Sequence, residues 1–186
     1  MIATRKRLIT AEQFLRMPDD GRLTELVRGR IEVMTMPKPR HGYYCVLVVR
    51  ILDEYALKHK AGRVICNDSA VITERDPDTV RGADVAFYSF KRVAKGRLPK
   101  GYLSAPPEAV FELRSPSERP GKLLTKVGEY LAVGVDVVCV IDPDAETITV
   151  YAGDEQPRIL RTGDTLDLSK VLPGFRVPVV RFFEED

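Results

Sequence analysis

Hydrophobic positions recur along this chain with two different periods, and each change of period marks a new element. Thr10 followed by Gln13 is a capping box, which predicts a short helix carrying Phe14, Leu15 and Met17. Pro18-Asp19-Asp20-Gly21 ends it. Two short runs, Leu23 to Val27 and Ile31 to Met34, flank Arg28-Gly29 in the manner of a β-hairpin. Pro37-Lys38-Pro39-Arg40 reads as a break. From His41 to Lys58, the residues Tyr44, Leu47, Val48, Ile51, Leu52 and Tyr55 return at three and four, which predicts the longest helix of the chain. Gly62 stops it.

Strand patterns follow at Val64 to Ile72, Ala83 to Tyr88 and Ala109 to Leu113. Between the last two, Lys91, Arg92, Lys95, Arg97 and Lys100 mark a solvated loop. A second helix is expected from about Arg119 to Val133, with Leu123, Val127 and Leu131 on one face and Gly134 ending it. Val135 to Ile141 is a nearly continuous β-branched run, as in a strand buried on both faces. Asp142-Pro143-Asp144 turns the chain into a strand at Thr147 to Tyr151, and short strands and turns finish it. No repeat, low-complexity tract or linker interrupts this order. It predicts one α/β domain over 1–186, a mixed β-sheet flanked by helices, with an N-terminal helix and β-hairpin.

Composition narrows the function classes only slightly. With 186 residues, 44% hydrophobic and 30% charged, the chain can build one core under an ordinary soluble surface. A formal net charge of +2 does not by itself announce a nucleic-acid partner, so charge has to be read locally. Arg5-Lys6-Arg7 and the 91–100 loop are the basic stretches, and runs of this kind are more often solvated than bound. Cys45, Cys66 and Cys139 are odd in number and lie in apolar runs, which suggests buried thiols in a reducing compartment. There is no Cys-x-x-Cys pair, and neither His41 nor His59 is spaced with a cysteine as zinc ligands are. No apolar stretch is long enough for a signal core or a bilayer span, so a cytoplasmic location and no membrane partner are expected.

The chemistry sits at polar residues inside apolar strands. Side chains alternate across a strand, so Asp84 faces away from Ala83, Val85 and Phe87, and Glu112 with Arg114 faces away from Ala109, Phe111 and Leu113. A lone carboxylate is costly to bury, and two in neighbouring strands invite one explanation, a shared divalent cation. On the second helix, Lys122, Lys126 and Tyr130 stack beside the apolar row. The long stem of Lys126 can bury while its ammonium reaches the strand ends, where it could orient an attacking water and stabilise charge developing on a phosphate.

Taken together, Glu25-Leu26-Val27-Arg28-Gly29-Arg30, His41, Ala83-Asp84-Val85-Ala86-Phe87, Phe111-Glu112-Leu113-Arg114-Ser115-Pro116-Ser117, Lys126 with Tyr130, and Gly134-Val135 leading to Ile141-Asp142-Pro143 resemble the Uma family of bacterial endonuclease-like proteins. That family is assigned to the PD-(D/E)XK, restriction-endonuclease-like superfamily. The resemblance runs from about Thr10 to Tyr151 and implies a restriction-endonuclease-like core with a metal-dependent phosphodiesterase site. Asp84 and Glu112 match the metal-binding acids, Lys126 a lysine moved from strand to helix, Glu25 an additional N-terminal acid, and His41 a residue near the same cleft. Ala83 stands where the superfamily signature has proline, a position that binds nothing. Arg114 stands where lysine is usual, and its planar fork of donors suits a phosphate clamp better than proton transfer. The segment Asp136-Val137-Val138-Cys139 lacks the aromatic pair the family often carries there.

Plainer readings stand beside these. Glu25 could face solvent on the hairpin, His41 could serve structure alone, Arg114 could pair with Glu112, and Lys122 reads as a surface residue. The reading that combines the residues with the resemblance is a nuclease using Mg2+ or Mn2+, acting on nucleic acid, with DNA expected and a homodimer as the default assembly. Its catalytic residues are Asp84, Glu112, Lys126 and Glu25, and its substrate-binding residues are Arg114, His41 and Tyr130. The alternatives are a nucleic-acid-binding or assembly module that does not cleave, favoured by Arg114, and a metal-dependent hydrolase of a small phosphorylated molecule. The absence of a glycine-rich phosphate loop argues against a nucleotide-cofactor enzyme.

Overall fold

A computed structural model describes residues 8–115 and 120–185. The basic stretch at 5–7, the Pro116-Ser117 end of one motif, and the expected helix start at Arg119 lie outside them.

Local chemistry explains how each element begins. The Thr10 side chain accepts from Gln13 N–H, the Gln13 side chain returns the bond, and α1 runs Ala11–Leu15. Strands β1 (Thr24–Val27) and β2 (Arg30–Val33) form the expected hairpin with two residues, Arg28 and Gly29, at its tip. Both have positive φ (48° and 72°), the geometry that matches strand twist in a tight hairpin. At Gly29 a Cβ would lie 2.7 Å from Leu8 Cβ, so glycine is needed for space as well.

The long helix, α2, is Pro39–His59. It starts two residues earlier than expected because Pro39, far from breaking it, supplies a preset φ at the first turn, where its missing N–H costs nothing. Strands β3 (Gly62–Glu74) and β4 (Thr79–Ser89) extend well beyond their apolar stretches. Pairing along nearly their full length carries the polar ends, and β3 pairs only with β4. Cys66 is exposed on β3, which corrects the expectation that all three cysteines are buried; Cys45 is half-buried and Cys139 buried.

The sheet is mixed. Its order is β2-β1-β4-β5-β6-β7-β8, with β3 on the other edge of β4. Here β5 is Ala109–Leu113, β6 Val137–Asp142, β7 Thr147–Tyr151 and β8 Arg158–Arg161. Among the described strands only β5 and β6 pair in parallel, and α3 (Pro120–Ala132) lies between them in the chain. Beyond the sheet, β9 (Thr165–Asp167) and β10 (Arg176–Pro178) form a small ribbon leading into a 3-10 turn at Val179–Phe182.

Helices cover both faces. Leu47, Val48, Ile51 and Leu52 of α2 pack with Val85, Phe87, Phe111, Leu113 and the C-terminal Leu166, Phe175 and Phe182. On the other face, Leu123, Val127 and Tyr130 of α3 pack against Ala86, Val110, Val138 and Val140. The alternation expected for β5 holds, with Ala109, Phe111 and Leu113 turned toward α2. No described helix is long and apolar enough to cross a membrane.

Helix α1 is tied to this frame by Asp78, which is buried and accepts from Ala11 N–H at 2.7 Å and Arg75 Nη1 at 3.0 Å. Burial pushes the Asp78 carboxyl up, yet the backbone donors of Ala11 and Asp76 with the Arg75 guanidinium outweigh it and hold the group below its ordinary range. Asp78→Asn should therefore cost about 1–3 kcal/mol at neutral pH. A depressed folded pKa stabilises above the unfolded value of about 3.9 and loses that contribution as pH falls through the folded one, so the penalty should shrink toward zero in acid. Urea unfolding of both proteins at neutral pH and near pH 3 measures this. An equal penalty at both would assign the effect to shape, not charge.

Candidate active site

The site grows from a fork in the sheet. Along one edge β4 pairs with β3, but along the other it meets β1 at Val80 and β5 only from Val85 to Phe87. Between those partners run Arg81-Gly82-Ala83-Asp84, and side chains stand in for the missing ladder. Gly82 N–H donates to Glu25 Oε1 at 3.0 Å, and the Gly82 carbonyl accepts from Lys126 Nζ at 2.7 Å. Leu113 N–H, beyond the β4–β5 pairs, donates to Asp84 Oδ2 at 2.7 Å. Buried backbone groups need partners, so these side chains are held by the same bonds that complete the sheet.

Four carboxylates meet here: Glu25, Asp84 and Glu112 at 4%, 6% and 3% exposure, and Glu129 with a side chain 9% exposed. Two permanent cations face them. Arg81, at 3% exposure, gives Nη1 to Glu25 Oε2 at 2.9 Å and grips Glu129 with Nε and Nη2 at 2.6 and 2.7 Å. Lys126 Nζ lies 2.7 Å from Glu112 Oε2 and 3.7 Å from Glu25 Oε1. The remaining oxygen, Glu112 Oε1, is buried and is the one such side-chain atom among the described residues with no hydrogen-bond partner. Desolvation dominates at Glu112 and pushes its carboxyl upward, against the pull of the Lys126 ammonium. At Lys126, burial works against the charge, but Glu112, Glu25 and Asp84 together raise its pKa, so it is an ammonium at neutral pH. The acidic lining of Asp84, Glu112 and Asp68, with one buried Glu112 oxygen lacking a donor, fits a divalent cation among hard oxygen ligands.

Asp84, Glu112, Glu25, Lys126, Arg114 and His41 all line one cleft of about 790 Å³. The profile of the family Uma2, described as "Putative restriction endonuclease", matches residues 11–180. The chain belongs to this family. Among solved structures, a "putative nuclease belonging to DUF820" from Anabaena variabilis is similar over 94% of this chain and 97% of its own, with a TM-score of 0.79 and 18% identity. No curated protein is similar in sequence. The fold is thus the restriction-endonuclease-like one the resemblance implies.

Other expected site residues fall differently. Arg114 pairs with Asp142 at the cleft rim instead of with Glu112, and its side chain is 47% exposed. His41, in the first turn of α2, places Nε2 3.3 Å from Asp84 Oδ2 and Nδ1 3.6 Å from Cys45 Sγ. The bond to Asp84, and after it the contact with Cys45, push its pKa up to about 10. The expectation that no histidine is spaced with a cysteine fails at this pair, because i and i+4 are adjacent on a helix. Tyr130, expected to bind substrate, is instead fully buried and does not line the cleft; its hydroxyl donates to the Gly82 carbonyl at 3.4 Å and its ring centroid lies 5.9 Å from Lys126 Nζ. Lys122 is exposed, as expected, and pairs with Glu32 at 3.0 Å.

In the basic loop, Arg92 is a structural tie, bonding the Pro106, Pro107 and Gly134 carbonyls and pairing with Asp136 at 2.5 Å. Sequence reasoning passed over Arg81, Glu129, Cys45 and Asp68. Asp68 sits on a bulge of β3 where Asn67 and Asp68 both take positive φ, 71° and 50°. The bulge crosses Gly82 so closely that a Cβ there would lie 2.9 Å from the Asp68 carbonyl oxygen. It turns Asp68 into the cleft, where burial and then the Asp84 charge push its carboxyl up.

Proposed function

We propose that this chain is a metal-dependent nuclease that hydrolyses phosphodiester bonds of nucleic acid, DNA foremost, with Mg2+ or Mn2+ held by Asp84 and Glu112. The observation that carries the reading is the Lys126 ammonium, 2.7 Å from Glu112 Oε2 in a cleft that Asp84 also lines, with Glu112 Oε1 left without a donor. A bound divalent cation supplies Lewis acidity to the phosphate and acidifies the attacking water. Lys126, charged at neutral pH, orients that water and neutralises charge building on the phosphate; it is not the base. Glu25 holds Gly82 and Lys126 in register.

Arg114 reaches from the rim as a phosphate clamp. Its guanidinium is tethered by Asp142 yet exposed, so Arg114→Ala should raise KM by about tenfold, the worth of one charged hydrogen bond, with kcat changed far less. Steady-state kinetics on a labelled oligonucleotide reads this. A loss confined to kcat would place Arg114 in the chemical step instead. Lys38, at the N-terminus of α2, adds positive potential to the same opening. Cutting both strands of a duplex calls for two such sites, which makes a homodimer part of the proposal.

The test is cleavage of single-stranded and duplex DNA and RNA with Mg2+ or Mn2+, beside a Glu112→Ala control. Cleavage by the wild type and none by the variant is expected. Equal cleavage by both would assign the activity to a contaminant, and salt-sensitive binding without cleavage would mark a binding module.

A further inference from the structure

The nitrogen and sulfur beside Asp84 have no part in the function proposed above. His41 and Cys45 lie one turn apart on α2, both half-buried, and with buried Asp84 each offers a ligand atom within 4.8 Å of the other two. We infer that His41 and Cys45 complete a transition-metal site with Asp84, so that the cleft selects an ion such as Mn2+, Co2+ or Zn2+ over Mg2+. This rests on the reading of the cleft as a metal centre and narrows its choice of ion.

Spacing supports it. Ligand bonds of about 2.3 Å to sulfur and about 2.0–2.1 Å to nitrogen or oxygen place tetrahedral neighbours about 3.3–3.6 Å apart. Cys45 Sγ to His41 Nδ1 is 3.6 Å, and His41 Nε2 to Asp84 Oδ2 is 3.3 Å. The two distances belong to different ring nitrogens; with one nitrogen taken for the ring, the three ligand atoms lie within 4.8 Å of one another, and an ion would draw them closer by a turn of the imidazole. Binding displaces the imidazolium proton and the thiol proton to solvent, and the ion takes their place between a neutral imidazole, a thiolate and a carboxylate. Mg2+ favours oxygen ligands and sheds water reluctantly, whereas imidazole and thiolate favour the later divalent ions. Glu112 lines the same cleft with Oε1 buried and unpartnered, though outside the group of His41, Cys45 and Asp84 ligand atoms.

The test is titration of the full chain, freed of metal and carrying Cys66→Ser to remove the exposed thiol, with Co2+ and separately with Mg2+, Mn2+ and Zn2+. Near-ultraviolet absorbance reports thiolate-to-cobalt charge transfer, and calorimetry reports affinity. Co2+ should bind with a charge-transfer band, and Zn2+ more tightly than Mg2+. Cys45→Ser and Cys45→Ala should both abolish the band, and His41→Gln should weaken Co2+ by about tenfold or more, each variant melting cooperatively. Co2+ binding without a band, at an affinity untouched by these variants, would overturn the inference and leave an Asp84–Glu112 centre standing. Failure of every ion to bind the parent protein would overturn both.

Discussion

Lys126→Met is expected to slow cleavage by roughly 10²–10³-fold, the loss found when one preorganised donor to transition-state charge is removed. The methionine stem keeps the packing between Leu123, Val127 and Tyr130, so the change is chiefly the ammonium. Glu112 loses its partner at 2.7 Å, Glu25 keeps Arg81 but loses a second cation at 3.7 Å, and the Gly82 carbonyl loses the shorter of its two side-chain donors. A bound cation still compensates Glu112, so the variant should melt closer to the wild type in Mn2+ than in chelator. Single-turnover rates at saturating nucleic acid, with melting curves alongside, measure both effects. A rate within about threefold of the wild type would exclude the ammonium from the chemical step, since a single such contact is worth far more.

Arg81→Leu should be the most damaging change to stability, at about 3–5 kcal/mol, or a fall in melting temperature of about 6–20 °C for a chain of this size. Arg81 is the buried fork between Glu25 and Glu129, and its removal leaves Glu129 desolvated without a cation and Glu25 with only the longer 3.7 Å contact to Lys126. Arg81→Lys should recover little, because a single ammonium cannot span the two-point grip on Glu129 and still reach Glu25. Arg81→Leu combined with Glu25→Leu and Glu129→Leu should recover much of the loss, since apolar replacement of a whole buried ionic group is often neutral. Thermal unfolding of the four proteins tests this. An additive triple variant, worse than the single, would show that the three side chains do not act as one unit.

Much of this arrangement is legible in the sequence. Alternation along Ala109 to Leu113 placed Glu112 against the apolar face, and the row beside Leu123 and Val127 placed Lys126 toward the strands. Those signals are local, and local periodicity survives into the fold. What was hidden depended on pairing. Arg81 and Gly82 interrupt the apolar run of β4, so apolarity alone starts the strand at Ala83, and the fork that Arg81 fills exists only once β1 and β5 diverge. Asp68 lies on a bulge, where two residues of positive φ shift the alternation a strand reading relies on. Cys45 looked like core because it sits in an apolar run; helical pitch, not composition, sets it against His41. Tyr130 stacks with Lys126 on the same row, and only packing depth separates the buried ring from the side chain that reaches the cleft.

The most direct measurement is an anomalous difference map from crystals soaked in Mn2+. The account predicts a peak in the cleft within coordination distance, about 2–2.4 Å, of both the Asp84 and Glu112 carboxylates. A map with no peak there under saturating Mn2+, or a Glu112 carboxylate that stays bound to Lys126 alone while Mn2+ sits elsewhere, would contradict it.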